Sequence, residues 1–170
     1  MTIPDPGFTN RQAASDRGPT KEQQLLSGIA KAVFGLNGQL LSIAEDLAGP
    51  AGLTAAWWQV LATVLREPES VAEIARSIGN SRQSVQRVAD LLVDQGLAEY
   101  RHNPAHRRAK LLAPTERGRS AVRAIAPAHA DLARRLSSAM SEEKLSRLLA
   151  SLVELSAALE TVSGTGGPRT

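Results

Sequence analysis

Residues 70–118 read SVAEIARSIGNSRQSVQRVADLLVDQGLAEYRHNPAHRRAKLLAPTERG, and the caps and glycines of this stretch decide the fold. Ser70 and Glu73 have the spacing of a capping box, so a helix is expected to begin there. Gly79 ends that helix, because glycine adopts the left-handed C-cap conformation without steric cost. The next two residues, Asn and Ser, are good N-caps for a second helix. Two helices joined by so short a turn form a helix-turn-helix.

A small hairpin is expected directly after the second helix. Gly96 ends this helix, and residues 97–102 and 110–114 flank a polar tip that contains proline. Two short apolar runs around such a tip are typical of a β-hairpin. The sequence therefore predicts a winged helix-turn-helix, mainly α-helical with a small β-hairpin wing.

The polar face of the second helix carries candidate DNA contacts. Its apolar residues lie on one side at 100° per residue, so the glutamines and one arginine face the other way. Gln and Arg have forked donors and acceptors that match adenine and guanine edges in the major groove, and Ser bonds to a base or a phosphate. A solvated helix face has the same composition, but the helix-turn-helix and the basic hairpin favour DNA. The candidate contacts on this helix are Ser81, Arg82, Gln83, Ser84, Gln86 and Arg87.

Positive charge is concentrated around the hairpin. The whole chain has 20 Lys and Arg against 17 Asp and Glu, and this small excess does not by itself indicate DNA binding. Residues 101–123 contain seven basic residues and one acidic residue, Glu116, a local net charge of +6. Such a patch attracts the phosphate backbone and makes binding fall steeply with salt. Arg107, Arg108 and Lys110 are the candidate wing contacts; the alternative is a merely solubilising loop.

Composition limits the other possibilities. A chain of 170 residues is long enough for one domain with a real core. It has no cysteine, which excludes disulfides, thiolate metal sites and cysteine-based redox sensing. The N-terminus lacks an apolar run of signal-peptide or membrane length, so a cytoplasmic protein without a membrane partner is expected. Residues 1–19 are expected to form a flexible arm and residues 163–170 a flexible tail.

Two helices are expected before residue 70. Thr20 and Gln23 form another capping box, which opens a long helix with periodic apolar residues that a Gly-Pro pair closes. Thr54 is expected to cap the next helix, and Pro68 marks its end.

Two more helices are expected after the hairpin. Thr115 caps the first, and Pro127 inside it predicts either a kink or a restart. Ser141 caps the last helix, whose leucines recur at steps of 3 and 4, an a/d seam of nearly three heptads. Either the first helix of the same chain or a second copy of the chain covers this seam. A dimer is favoured, with residues 20–50 and 115–162 as dimerisation helices around a head at 53–114. The seam residues are Leu145, Leu148, Leu152, Leu155 and Leu159.

The chain resembles the MarR family of bacterial transcriptional regulators. The matching strings are LTAAWWQVLATVL, SVAEIARSIG, SVQRVADLLVDQGLAEYR and NPAHRRAKLLAPTERGR. The resemblance implies a homodimer whose first helix and last two helices form the interface. It also implies that Ser84, Gln86 and Arg87 read DNA and that Arg107 and Arg108 lie at the wing tip. Two positions depart from the family pattern: His106 stands where an aspartate is usual, and Pro114 replaces a leucine.

The resemblance further implies a small-molecule effector bound between the dimer helices and the head. Trp57 and Trp58 lie on the helix nearest that expected site and are candidate lining residues, although such residues are more often core. No cofactor is expected, and the chain contains no catalytic motif, so it is not expected to be an enzyme. His102 and His106 are a weak zinc pair without a further close ligand.

Together these features predict a transcriptional repressor that binds double-stranded DNA as a homodimer on a palindromic operator and is released by an effector. The alternative is a winged-helix dimer that serves as a ligand-binding or protein-interaction module without operator DNA.

Overall fold

The computed structural model describes residues 18–106 and 108–164. Arg107, a predicted DNA contact, lies outside the described residues, as do residues 1–17 of the expected arm and 165–170 of the expected tail. A short 3-10 turn at Gly49–Ala51 separates the first two helices. The elements are α1 Lys21–Ala48, α2 Ala55–Thr63, β1 Glu69–Ser70, α3 Val71–Ser77, α4 Arg82–Asp94, β2 Ala98–Arg101, β3 Leu111–Pro114, α5 Glu116–Ala139 and α6 Glu142–Gly164.

Both predicted capping boxes are confirmed. Before α1, the Thr20 amide donates to Gln23 Oε1 at 2.9 Å, and the Gln23 amide donates to Thr20 Oγ1 at 3.3 Å. Before α3, the Ser70 amide donates to Glu73 Oε2 at 2.8 Å, and the Glu73 amide donates to Ser70 Oγ at 3.3 Å. Each box satisfies two amides that a helix start leaves unpaired, so these helix starts are fixed by local sequence.

The turn between α3 and α4 also forms as predicted. Gly79 adopts a left-handed φ of 67°, and Ser81 caps α4 by accepting the Ser84 amide at 3.1 Å. Gly96 repeats the left-handed conformation after α4, with a φ of 66°. These two glycines and one cap hold α4 between sharp turns of the chain.

The wing contains one more strand than the predicted hairpin. β2 and β3 pair antiparallel as expected, with Tyr100 opposite Leu112. β1 pairs antiparallel with the other edge of β3, which gives the strand order β1-β3-β2. β1 is the two extended residues that lead into the α3 capping box. A two-residue strand has no periodicity to detect, which explains why the sequence did not predict it.

The core of the winged head is built from leucine and isoleucine side chains on several elements. Leu61, Ile74, Leu92, Leu112 and Ile125 come from α2, α3, α4, β3 and α5, and all are essentially buried. Burying each such side chain contributes about 1.5–3 kcal/mol relative to leaving it exposed. The apolar side of α4 is therefore held against the head, and its polar side faces outward.

The structure corrects the predicted end of α2 and decides whether α5 restarts at its proline. α2 ends at Thr63 and not near Pro68. Pro68 restricts the preceding residue to extended conformations, and the chain must already be extended to enter β1, so the helix ends earlier. α5 runs without interruption from Glu116 to Ala139 through Pro127, which excludes a restart at the proline.

The chain divides into two units, Met1–Ala44 and Glu45–Thr170. In the described part of the first unit, α1 exposes several large apolar side chains, among them Leu25, Leu26, Phe34 and Leu40. In the second unit, α6 likewise leaves apolar side chains exposed. Within residues 18–106 and 108–164, no helix combines the length and the apolar character needed to cross a membrane.

Candidate nucleic-acid interface

The first turns of α4 present uncovered polar side chains. Arg82, Gln83, Ser84 and Arg87 are all exposed. The hydroxyls of the cap are used within the chain, because Ser81 Oγ donates to Ser84 Oγ at 2.9 Å. The side chains at 82, 83 and 87 have no hydrogen-bond partner among the described residues, so their donors and acceptors face solvent.

Gln86 differs from these neighbours because it is held by a network of three side chains. Gln86 Nε2 donates to Asp90 Oδ1 at 2.9 Å and to the Tyr100 hydroxyl at 2.8 Å. The Tyr100 hydroxyl in turn donates to Asp90 Oδ1 at 2.7 Å. We call these three residues the Gln86 network. It ties the outer side of α4 to strand β2 of the wing.

Tyr100 is the residue of the network whose pKa is strongly shifted. Partial burial raises the pKa of Tyr100 to about 12, with further contributions from its hydrogen bond to Asp90 and from that residue's charge. All these effects disfavour the phenolate, so the hydroxyl stays protonated and remains a donor. Lys110 Nζ lies 5.7 Å from the centre of the same ring, within cation–π range.

The wing tip is ordered by a residue that was not predicted. Asn103 is buried, and its Oδ1 accepts the amides of Ala105 at 2.9 Å and His106 at 3.2 Å. This is an Asx turn, in which a side chain replaces a backbone acceptor. The Asn-Pro dipeptide at 103–104 was the available signal. Beyond it, Arg108 and Lys110 are exposed.

The basic segment is less available than its sequence suggested. Arg101 pairs with Glu99 at 2.6 Å, and Arg123 pairs with Glu116. The hydrogen bond from Arg123 is the main reason that the pKa of the Glu116 carboxyl lies below its usual value. Two of the seven predicted cations are thus neutralised by exposed neighbours.

Two further arginines of this segment support the fold. Arg117 Nη1 donates to the Gln95 carbonyl and Arg119 Nη1 to the Leu65 carbonyl, each at 2.9 Å. Both carbonyls lie just after a helix, where a cation is favourable to the helix dipole. Among the described residues, the wing cations that make neither an ion pair nor a hydrogen bond are therefore Arg108 and Lys110.

A cavity of about 370 Å³ separates α4 from the wing. Its lining is mostly polar and includes Ser70, Arg82, Gln86, Tyr100, Arg108 and Lys110. A second, more open groove follows the outer side of α4 past Arg82, Gln83 and Arg87. The predicted contacts of the helix and those of the wing therefore line two adjoining surfaces of the head, which share Arg82, Gln86 and Asp90.

Comparison with known proteins identifies this head. The model of the MarR family matches residues 51–109, which run from the start of α2 to the wing tip. Over these residues the chain matches the MarR family. An uncharacterized protein of Mycobacterium tuberculosis is 48% identical over 93 residues, which are 55% of this chain. The match spans 65% of the length of that relative.

Solved structures extend the likeness beyond the head. An Escherichia coli MarR mutant complexed with operator DNA is 18% identical, with a TM-score of 0.68 over 81% of this chain and 99% of that one. The M. tuberculosis regulator MosR in complex with DNA is 21% identical, with a TM-score of 0.64 over 76% of this chain and 96% of that one. At these identities the likeness establishes the MarR fold, with its N- and C-terminal helices.

The predicted seam of α6 is largely uncovered. Leu148, Leu152 and Leu159 are 42%, 40% and 50% exposed, and Leu145 and Leu155 are half-buried. The α6 helix begins as predicted, with the Lys144 amide donating to Ser141 Oγ at 3.4 Å.

The two tryptophans pack partly buried against the core. The Trp58 ring meets His129 edge-on, with 5.7 Å between ring centres. Neither Trp57 nor Trp58 lines the two cavities described above, and their role in effector binding stays a prediction.

The two wing histidines, His102 and His106, are exposed. No group of three or more His, Cys, Asp or Glu side chains suited to a metal ion occurs in the part of the chain that the structure describes.

Proposed function

We propose that this protein is a homodimeric transcriptional repressor of the MarR family that binds a palindromic operator. The observation that carries the proposal is the outward face of α4, where Arg82, Gln83 and Arg87 are exposed and without partners among the described residues. These are the side-chain types that read base edges in the major groove. The E. coli MarR mutant and MosR, which share the fold, were crystallised with operator DNA and with DNA.

Charge along α4 favours one orientation on DNA. The first two turns carry Arg82 and Arg87, whereas Asp90 and Asp94 lie in the second half of the helix. Carboxylates are repelled by phosphates, and the N-terminal end of a helix is its positive end. We therefore propose that the N-terminal half of α4 enters the major groove, as in other helix-turn-helix proteins. Arg108 and Lys110 would then meet the neighbouring phosphates or the minor groove.

A homodimer is supported by the terminal helices, each taken by itself. The a/d seam of α6 exposes leucines that would cost free energy in water, at about 25 cal/mol for each Å² of apolar surface. α1 carries its own exposed apolar residues, such as Leu40 at 64%. Monomeric proteins seldom leave such long apolar stripes uncovered. A two-fold partner would cover them and present a second head to the second half-site.

Repression and effector release follow from this arrangement. A dimer seated on an operator excludes other proteins from the same DNA, which gives repression. A small molecule that binds one spacing of the two heads more tightly than another would shift the population away from the DNA-bound state. Trp57 and Trp58 remain the proposed lining residues of that effector site.

The proposal is tested by selecting bound duplexes from a random pool. We expect enrichment of a palindrome whose half-sites are centred about 10 base pairs apart or a multiple of that distance. Enrichment of nothing would contradict operator binding and would favour an interaction module without DNA. An enriched site without two-fold symmetry would contradict the dimer on DNA while leaving the DNA contact in place.

A further inference from the structure

We propose that Tyr100 is a positioning residue for operator binding, which holds α4 and the Lys110 ammonium of the wing at one separation. The inference rests on the proposed function, because it requires α4 and the wing to meet DNA together. Tyr100 needs no DNA contact of its own in this role. It acts through the residues that it touches on either side.

The hydroxyl of Tyr100 is bonded to α4. It donates to Asp90 Oδ1 at 2.7 Å, and Gln86 Nε2 lies 2.8 Å from the same hydroxyl oxygen. Gln86 and Asp90 are 4 residues apart, so they meet the hydroxyl from successive turns of the helix. A hydrogen bond to a carboxylate is roughly twice as strong as one between neutral groups. The bond to Asp90 is therefore the stronger tie between strand β2 and the helix.

The ring of Tyr100 supports a cation of the wing. Lys110 Nζ lies 5.7 Å from the ring centre, within cation–π range. Lys110 is exposed, and its ammonium makes no ion pair or hydrogen bond among the described residues. The ring contact orients this ammonium without using its hydrogen-bond donors, which stay available for a phosphate.

Tyr100 lies between the two sets of proposed DNA contacts. It lines the cavity of about 370 Å³ together with Arg82 on the helix side and with Arg108 and Lys110 on the wing side. The grooves of B-DNA have set widths, so a helix in the major groove and a wing beside it must keep a matching separation. A side chain bonded to the helix at one end and in contact with a wing cation at the other limits this separation before DNA binds.

Loss of the hydroxyl should affect specific and non-specific binding differently. Without its bonds to α4, the wing would have to be ordered on the helix during binding, and such ordering lowers affinity. Non-specific binding depends mainly on charge. Tyr100 has a pKa of about 12 and is neutral at pH 7, so Tyr100→Phe leaves the charge of the side chain unchanged. The operator, which engages α4 and the wing in one geometry, should therefore be the duplex that is bound less tightly.

The experiment uses the full chain and two duplexes, the palindrome recovered from the random pool and a scrambled version of it. Tyr100→Phe keeps the ring and removes the hydroxyl. We expect its affinity for the palindrome to fall about tenfold or more, as the loss of a hydrogen bond to a charged group does. Its affinity for the scrambled duplex should change by less than about twofold, because the charge is the same.

Ile125→Val is the control for a general loss of stability. Ile125 is buried in the core of the head and takes part in no hydrogen bond of the Gln86 network. This substitution removes one buried carbon and lowers stability without touching the hydroxyl of Tyr100. We expect the affinities of Ile125→Val for both duplexes to equal those of the wild type.

A double-mutant cycle distinguishes positioning from a contribution to folding. Lys110→Ala removes the wing cation, and its cost in affinity for the palindrome is measured in the wild type and in Tyr100→Phe. We expect this cost to be at least about threefold smaller in Tyr100→Phe, since contacting residues of one network are coupled. Gln83→Ala is the comparison, because Gln83 is exposed on α4 outside the network, and its cost should be equal in both backgrounds.

Several results would overturn the inference and leave operator binding intact. They are an unchanged affinity of Tyr100→Phe for the palindrome, equal losses on the palindrome and the scrambled duplex, and an equal cost of Lys110→Ala in both backgrounds. A Tyr100→Phe protein whose circular dichroism shows lost structure would make Tyr100 a folding residue and would also overturn it. A pool from which no duplex is recovered would instead contradict the proposed function.

Discussion

Gln86 and Arg87 are adjacent on α4, but the fold treats them differently. Gln86 is half-buried and bonded to Asp90 and Tyr100, whereas Arg87 is exposed and has no described partner. The sequence predicted both to face away from the core, which is correct, but helical periodicity carries no information about strand β2. Only the tertiary structure places Tyr100 beside Gln86. The chemistry of a contact can therefore depend on a residue fourteen positions away.

The pKa of Tyr100 is raised mainly by partial burial and further by its hydrogen bond to Asp90. Because the folded pKa is about 12 and the unfolded pKa about 10, the fold loses stability as the pH rises from 10 to 12, where the unfolded chain releases the Tyr100 proton and the folded chain retains it. The chain has a single tyrosine, so tyrosinate absorbance measures it alone. We expect a midpoint near 12 in the folded protein and a lower one in Asp90→Ala. Equal midpoints in the wild type and in Asp90→Ala would show that Asp90 does not act on Tyr100.

Gly118 is expected to tolerate no side chain. A Cβ at this position would lie 2.0 Å from the Leu97 carbonyl oxygen, where the start of α5 crosses the chain before β2. Gly118→Ala must displace backbone, which costs about 1–3 kcal/mol of unfolding free energy. Urea denaturation measures the loss. Gly49→Ala is the control, because a Cβ there meets nothing within 4 Å, and equal stability of the two variants would refute the close approach.

At the scale of elements, helix starts were predictable and strand pairings were not. The Thr20–Gln23 and Ser70–Glu73 boxes are local patterns in which a few neighbouring residues satisfy one another. The third strand depends on the partner β3, some forty residues further on, which no local pattern contains. The conformation of the wing tip likewise depends on the hydrogen bonds of Asn103. The charge that the wing leaves available depends on which arginines are bound by other groups of the fold. The segment with a sequence charge of +6 therefore acts through fewer groups than its composition suggests.

The salt dependence of DNA binding measures which cations of residues 101–123 are available to phosphates. Replacing Arg108 and Lys110 together by Ala removes two unpaired cations from each protomer and four from the dimer. The slope of log affinity of the dimer against log salt should therefore decrease in magnitude by about 4. Arg117→Ala is the comparison, because its guanidinium is bound to the Gln95 carbonyl. We expect Arg117→Ala to lower stability and leave the slope unchanged. The reverse pattern would contradict the assignment of these charges.

In the whole molecule, the exposed apolar residues of the terminal helices indicate that the head works together with a second copy of the chain. The sequence predicted a leucine seam on the last helix, and the structure leaves the seam residues half-buried to exposed in a single chain. What covers a seam cannot be decided from its periodicity, since an intramolecular and an intermolecular partner need the same leucines. Exposure adds the missing argument for a second copy.

Sedimentation equilibrium tests this expectation. The chain has a mass of 18.0 kDa, so a dimer of twice that mass is expected at micromolar concentration. Leu152→Glu places a charge in the seam and should give monomers. Ala150→Glu adds the same charge on the opposite side of α6 and should leave the dimer intact. A monomeric wild type would reject the dimer, and equal effects of the two variants would reject the seam.

The most direct test of the proposed function is the ratio of two dissociation constants, measured by fluorescence anisotropy at physiological salt. One duplex carries the selected palindrome and the other the same bases in scrambled order. We expect the wild type to bind the palindrome at least about a thousandfold more tightly than the scrambled duplex. Arg87→Ala should lower that ratio by about tenfold or more while binding the scrambled duplex almost unchanged. Equal affinity of the wild type for both duplexes would contradict sequence-specific reading by α4.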